Sequence, residues 1–244
     1  MKAFLFAAGL GTRLQPLTNN CPKALVKVAG KPMLQHLILN LKKAGIEEMY
    51  INIHHFGDQI IQFLEDNNNF ACNITISDER EELLDTGGGL KKVLNSLSPN
   101  EDLLVHNVDI MTSLNINDFI SFHQKSPAKV SLLLQKRSTS RYLLFHKEKQ
   151  SLRGWINTKT LEKIPKQIQE NDYHWFAFNG IHIVNSSIRD YLPIEKVFPI
   201  IPAYLKIAEH QMIRGMELQE EFWVDMGKIA QIKQAENYLI NHKA

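Results

Sequence analysis

Residues 4–34, FLFAAGLGTRLQPLTNNCPKALVKVAGKPML, constrain this chain more than any other stretch. Phe4, Leu5, Phe6, Ala7 and Ala8 form a wholly apolar run that stops abruptly at Gly9. Such a run reads as a short buried strand. Gly9, Gly11, Thr12 and Arg13 come next, then Pro16, Pro22 and Lys23, and a second apolar run reaches Val28. Two glycines let backbone N–H groups approach an anion closely, and Arg13 adds a planar, multi-donor cation. A strand, a glycine loop carrying an arginine, and a lysine further on together predict a loop that grips phosphate. The dinucleotide fingerprint fails, because Leu14 stands where its last glycine belongs. A P-loop fails as well, since no Gly-Lys-Ser/Thr follows at the required spacing.

The rest of the first half alternates between helical and strand patterns. Leu34, Leu37, Ile38 and Leu41 fall at helical spacing, with Gly45 as a C-terminal cap, so residues 32–45 read as an amphipathic helix. Residues 49–54 predict a strand, 58–64 a helix and 73–77 a strand. The Thr86-Gly-Gly-Gly turn opens a helix to about Ser96, and 102–107 (DLLVHN) predict a strand covered on both faces. Strand and helix thus alternate through the first half, which indicates βαβ crossovers and a doubly wound, mostly parallel sheet. The character then shifts. Residues 129–135, 142–145 and 175–184 read as longer or antiparallel strands, 203–210 as a helix, and 229–241 as a closing helix after a short strand ending at Asp225. No repeat, linker or composition break appears, which predicts a single domain over 1–244.

Composition excludes several roles. A net charge of +2 points to neither nucleic acid nor a membrane as partner. Two cysteines in 244 residues fit a reducing compartment rather than a disulfide scaffold. The N-terminal apolar stretch is too short for a signal peptide, and no run of about 18 apolar residues predicts a transmembrane helix. A cytoplasmic protein is expected. His54 and His55 are adjacent, so their side chains diverge on a strand, and no Cys/His spacing suits zinc. Asp109 follows a buried strand, where open α/β sheets bind ligands, although a turn aspartate fits the same pattern. Asp225 also ends an apolar run, just before a helix whose N-terminal dipole it could complement.

The segments Ala7-Ala-Gly-Leu-Gly-Thr-Arg-Leu-Gln-Pro-Leu-Thr18 and Pro22-Lys-Ala-Leu-Val-Lys-Val-Ala-Gly-Lys-Pro-Met33 resemble the signature of the sugar-phosphate nucleotidyltransferases, the nucleotide-sugar pyrophosphorylases. The resemblance implies a Rossmann-like, three-layer α/β sandwich of the nucleotide-diphospho-sugar transferase type. Residues 1–112 would serve the nucleotide and 113–244 the sugar phosphate. It implies nucleotide phosphates over Ala8, Gly9, Gly11, Thr12 and Arg13, with Arg13 and Lys23 as the catalytic cations that neutralise the triphosphate. Lys27 and Lys31 are expected to be solvated. Asn107-Val-Asp109 is similar to the family's Asn-Gly-Asp segment, with Val108 replacing glycine, and Trp223-Val-Asp-Met-Gly227 to its late Trp-x-Asp-x-Gly segment. Asp109 and Asp225 are thereby implied as ligands of Mg²⁺, and Asn107 as a substrate contact.

The resemblance further implies that Thr86, Gly87 and Gly88 lie under the base and ribose, and that Asn179 and Gly180 line the sugar pocket. Arg141, Tyr142 and Trp155 border the same region by sequence, with nothing local to single them out. The compact length and the Thr-Gly-Gly-Gly form are most similar to the bacterial N-acetylmuramate 1-phosphate uridylyltransferases. The expected partners are therefore a nucleoside triphosphate and a sugar 1-phosphate, with uridylyl transfer to an amino-sugar-type 1-phosphate first. Guanylyl transfer to a heptose or hexose 1-phosphate, cytidylyl transfer to phosphocholine, and a non-catalytic nucleotide-sugar sensor are the alternatives.

Overall fold

The computed structural model describes residues 1–168 and 170–242. In chain order its elements are β1 (Lys2–Phe6), β2 (Lys27–Val28), β3 (Lys31–Pro32), α1 (Met33–Lys43), β4 (Glu48–Ile53), α2 (Gly57–Asp66), β5 (Asn73–Asp78), α3 (Asp85–Leu94) and β6 (Asp102–Asn107). They continue as β7 (Ile110–Thr112), α4 (Ile116–Gln124), β8 (Val130–Gln135), β9 (Arg141–His146), β10 (Leu152–Asn157), β11 (Glu162–Ile164) and β12 (Tyr173–Asn185). The last elements are α5 (Ile200–Ile207), β13 (Ile213–Glu217), β14 (Trp223–Asp225) and α6 (Ile229–Asn241). Two compact units result, and the chain passes between them four times. The first holds Met1–Leu84, Val105–Ile116 and Glu221–Ala244, and the second Asp85–Leu104 and Asn117–Glu220.

In the first unit β1, β4 and β5 pair in parallel, with Phe6 opposite Asn52 and Asn52 opposite Ser77. The uninterrupted apolar character of β1 is explained by its burial: Ala3, Phe4 and Leu5 are fully enclosed. Helix α1 turns Leu34, Leu37, Ile38 and Leu41 inward, as their spacing requires. It ends where Gly45 takes φ +81 and donates its N–H to the Lys42 carbonyl. A two-residue hairpin, β2 against β3, precedes α1. The antiparallel ribbon of β7 and β14 sets Ile110 opposite Asp225. The sequence pattern missed β7, because three residues are too few to show a period.

The second unit carries the longer strands. β12 pairs antiparallel with both β8 and β9, β9 with β10, and β10 with β11, while β13 runs parallel to β8. Helix α4 closes over a buried polar cluster in which the His123 ring meets Ser131 Oγ at 2.8 Å and Asp102 Oδ1 at 3.4 Å. Burial raises the Asp102 carboxyl, but hydrogen bonds from His123 and Asn185 outweigh it and leave the group below its ordinary value. Sequence periodicity did not reveal α4, β10 or β13. Their polar residues, such as His123, Arg153 and Arg214, break the apolar rhythm. The fold is α/β and Rossmann-like, with the parallel strands concentrated in the first unit.

Candidate active site

The site grows out of the C-terminal ends of β1 and β6 in the first unit. Beyond β1 the chain leaves the sheet. The Ala7 and Ala8 N–H groups both donate to Asn52 Oδ1, at 2.7 and 3.1 Å. The Ala8 amide, expected to serve the nucleotide, is thus held by the protein. Gly11 then adopts φ +67, a left-handed conformation that disfavours any residue with a side chain. A Cβ on Gly11 would also come within 2.9 Å of the Thr18 methyl. Thr18 in turn donates its hydroxyl to the Gly11 carbonyl at 2.9 Å. The short turn Thr12–Leu14 buries Leu14 and leaves Thr12 and Arg13 exposed.

Asp109 arrives from the other side. After β6 the Val108 N–H donates to the Phe6 carbonyl at 3.1 Å, extending the sheet one residue beyond the strand. Val108, which replaces the glycine of the related motif, is buried and packs as a core residue. Asp109 follows, largely enclosed, and its Oδ2 accepts a hydrogen bond from Lys23 Nζ. Both side chains of this ion pair are nearly buried, at 13% and 12% exposure. Removing either partner alone would leave a charge uncompensated. Lys23 starts the turn Lys23–Leu25 behind Pro22, which fixes its place.

Asp225 completes the pair. The β7–β14 ribbon brings it beside Asp109, and the Met226 N–H donates to the Asp109 carbonyl at 2.8 Å. Burial pushes the Asp225 carboxyl above its ordinary value, and the neighbouring Asp109, within hydrogen-bond reach, pushes it further. The Gly227 N–H and the Lys23 charge pull the other way. Gly227 has a role that its motif signalled and sequence reasoning did not assign. A Cβ there would lie 2.7 Å from Arg13 Nη2 and 2.8 Å from Asp225 Oδ1. A side chain there would displace the ends of the Arg13 and Asp225 side chains.

Arg13, Lys23, Asp109 and Asp225 therefore meet in the first unit. The described residues contain no cluster of three or more His, Cys, Asp and Glu side chains suited to a metal. Two adjacent carboxylates do suit a hard divalent cation that takes its remaining oxygens from phosphate and water. Asn107 is half-buried, with its carbonyl engaged by His106 Nδ1 at 2.8 Å. Lys27 and Lys31 are exposed, as expected.

The other expected residues belong to the second unit. Thr86 donates its N–H to Asp85 and accepts from the Ile200 N–H through Oγ1. Gly87 and Gly88 are buried, and both donate to the Phe198 carbonyl, at 2.8 and 3.3 Å. The two glycine amides and the Thr86 hydroxyl oxygen thus join α3 to the start of α5. Asn179 is buried, and Gly180 takes φ +76 where the β12–β8 register shifts, so the glycine sits at a β-bulge. Tyr142 and Trp175 meet at a tilted ring contact, with centroids 5.5 Å apart, and the neighbouring Arg141 is exposed.

A glycine loop at the end of a buried strand, two apposed carboxylates and two cations define an α/β enzyme site for phosphate chemistry. Residues 2–242 match the Nucleotidyl transferase family, and the chain belongs to it. It is 31% identical over 232 residues to the N-acetylmuramate alpha-1-phosphate uridylyltransferase of Caulobacter vibrioides, covering 92% of this chain and 91% of that one. It is also 31% identical to mannose-1-phosphate guanylyltransferase 1 of Arabidopsis thaliana, where it spans 62% of the relative's length. Among solved structures, HddC from Yersinia pseudotuberculosis in complex with GMP-PN superposes with a TM-score of 0.75 at 18% identity, over 98% of this chain and 99% of that chain. A putative glucose-1-phosphate thymidylyltransferase from Bacillus anthracis gives 0.75 at 20% identity, over 98% and 94%. These two share the fold. No helix among the described residues is long and apolar enough to cross a membrane.

Proposed function

We propose that this enzyme transfers a nucleotidyl group from a nucleoside triphosphate to a sugar 1-phosphate, releasing pyrophosphate. The observation that carries the reading is the apposition of Asp109 and Asp225, with Lys23 on the Asp109 carboxylate and the Arg13 guanidinium beside Gly227. The sugar-phosphate oxygen attacks the α-phosphorus directly; a new P–O bond forms there as the bond to pyrophosphate breaks. Such a reaction needs positioning and charge neutralisation more than covalent help from the protein. Asp109 and Asp225 would hold Mg²⁺, which supplies Lewis-acid neutralisation of the phosphate charge when bound. Arg13 offers its multi-donor fork to the triphosphate, and the Gly9 to Gly11 backbone offers its amides. Lys23 moves between Asp109 and the phosphate charge that develops beside it.

For the substrates we favour UTP with an amino-sugar-type 1-phosphate such as N-acetylmuramate 1-phosphate. The relative named for that reaction is matched over nearly its whole length. Guanylyl transfer to a hexose 1-phosphate is the second reading, favoured by equal identity to the Arabidopsis mannose-1-phosphate guanylyltransferase. Pyrophosphate release across UTP, GTP, CTP and dTTP, each with N-acetylmuramate, N-acetylglucosamine and mannose 1-phosphates, separates them. The first reading predicts the highest kcat/KM for UTP with an amino-sugar phosphate. A higher value for GTP with mannose 1-phosphate overturns it in favour of the second.

A further inference from the structure

Strand β1 ends at Phe6, and two buried N–H groups, of Ala7 and Ala8, leave the sheet without a strand partner. One atom, Asn52 Oδ1, accepts from both. Asn52 lies opposite Phe6 in the parallel register, and its side chain reaches past the strand end. Its amide Nδ2 donates to Glu79 Oε1 at 2.9 Å, and Glu79 Oε2 accepts from the Leu84 N–H at 3.1 Å. Glu79 is itself pinned: its N–H donates to the Ile53 carbonyl at 2.9 Å, and its own carbonyl meets His54 Nδ1 at 2.7 Å. Asn52 and Glu79 are 3% and 2% exposed. A side-chain amide can sit either way round, and Glu79 decides which. A carboxylate only accepts, so the Asn52 NH₂ must face it and the Asn52 oxygen must face the loop.

The next amides, of Gly9, Leu10 and Gly11, make no hydrogen bond to protein among the described residues. A Cβ built on Gly9 would meet nothing within 4 Å. We propose that Asn52 and Glu79 are positioning residues of the triphosphate loop, fixing the turn out of β1 so that the Gly9, Leu10 and Gly11 amides face the phosphates. The proposal rests on the nucleotidyl-transfer reading above, and neither residue touches the carboxylate pair in it. Buried polar networks of this kind act as a unit, because each member sets its neighbour's orientation.

An exchange of the two side-chain types tests it. Asn52→Asp alone sets two carboxylates against each other, and Glu79→Gln alone leaves one of its two donors facing an NH₂ group. The double variant Asn52→Asp/Glu79→Gln restores every donor and acceptor at unchanged net charge. Calorimetric Kd values for UTP and GTP, with KM for the sugar phosphate, are measured below each variant's melting temperature. Each single variant is expected to weaken nucleotide binding by about tenfold or more, leaving the sugar-phosphate KM unchanged. The double variant should return to within about threefold of wild type. Single variants that bind nucleotide as wild type does, or a double variant no better than the worse single, overturn the proposal. If Asn52→Asp does not fold, Glu79→Gln and the double variant decide it alone. Wild-type protein that binds neither nucleotide refutes the parent reading instead, and so separates the two failures.

Discussion

At the scale of single residues, burial sets the chemistry around the carboxylate pair. His106 lies on β6 just before Asn107, three residues ahead of Asp109, and is 1% exposed. Burial lowers its pKa to about 4, against the opposing pull of the Asn107 carbonyl and the Asp109 charge. The folded value lies below the ordinary 6.5, so the unfolded chain binds the extra proton between these limits. The neutral ring's contribution to stability is therefore complete above pH 6.5 and is lost as pH falls toward 4. Between pH 7.5 and 5 that loss amounts to about 2 kcal/mol. Chemical denaturation at the two pH values should show a larger drop for wild type than for His106→Phe. Equal drops would contradict the assignment. Asp225 follows the opposite logic, since burial and a like charge make a proton, or a cation, welcome beside it.

At the scale of elements, the glycines of α3 are packing residues. Thr86-Gly-Gly-Gly reads as a turn that opens a helix, and the resemblance puts the base and ribose over Thr86 and the first two glycines. The structure buries them in the first turns of a helix, with the Phe198 carbonyl taking two of their amides. A Cβ on Gly87 would stand 2.3 Å from the Phe198 ring and 2.6 Å from its carbonyl oxygen. Gly87→Ala should accordingly cost about 1–3 kcal/mol of stability through overpacking and backbone displacement. A melting temperature equal to wild type would show that the helix contact is looser than described. By contrast, α1 was legible because a stripe of four leucines and isoleucines on one face has a single helical solution. The β7–β14 ribbon was not, although it sets the two aspartates side by side. Its pairing joins residues more than a hundred positions apart, and nothing local encodes that.

At the scale of the whole chain, the alternation of strands and helices announced the parallel β1, β4 and β5, and the glycine loop announced where ligand chemistry would gather. Arg13, Lys23, Asp109 and Asp225 could be nominated from motifs, and they meet in one unit. Their partners could not. Asn52 and Glu79 carry no motif signal, since a buried asparagine and glutamate look in sequence like any surface pair. The four crossings between units were equally hidden, because residues 85–104 and 221–242 each pack with chain distant in sequence. The central claim is that Asp109 and Asp225 together support nucleotidyl transfer. It is tested most directly by following nucleotide-sugar and pyrophosphate by phosphorus NMR, with UTP or GTP, the sugar 1-phosphates and Mg²⁺, for wild type, Asp109→Asn and Asp225→Asn. The account predicts equimolar products from wild type, none after chelation of the metal, and a loss of roughly 100-fold or more in each variant with its circular dichroism unchanged. Turnover by folded Asp109→Asn at the wild-type rate would contradict it.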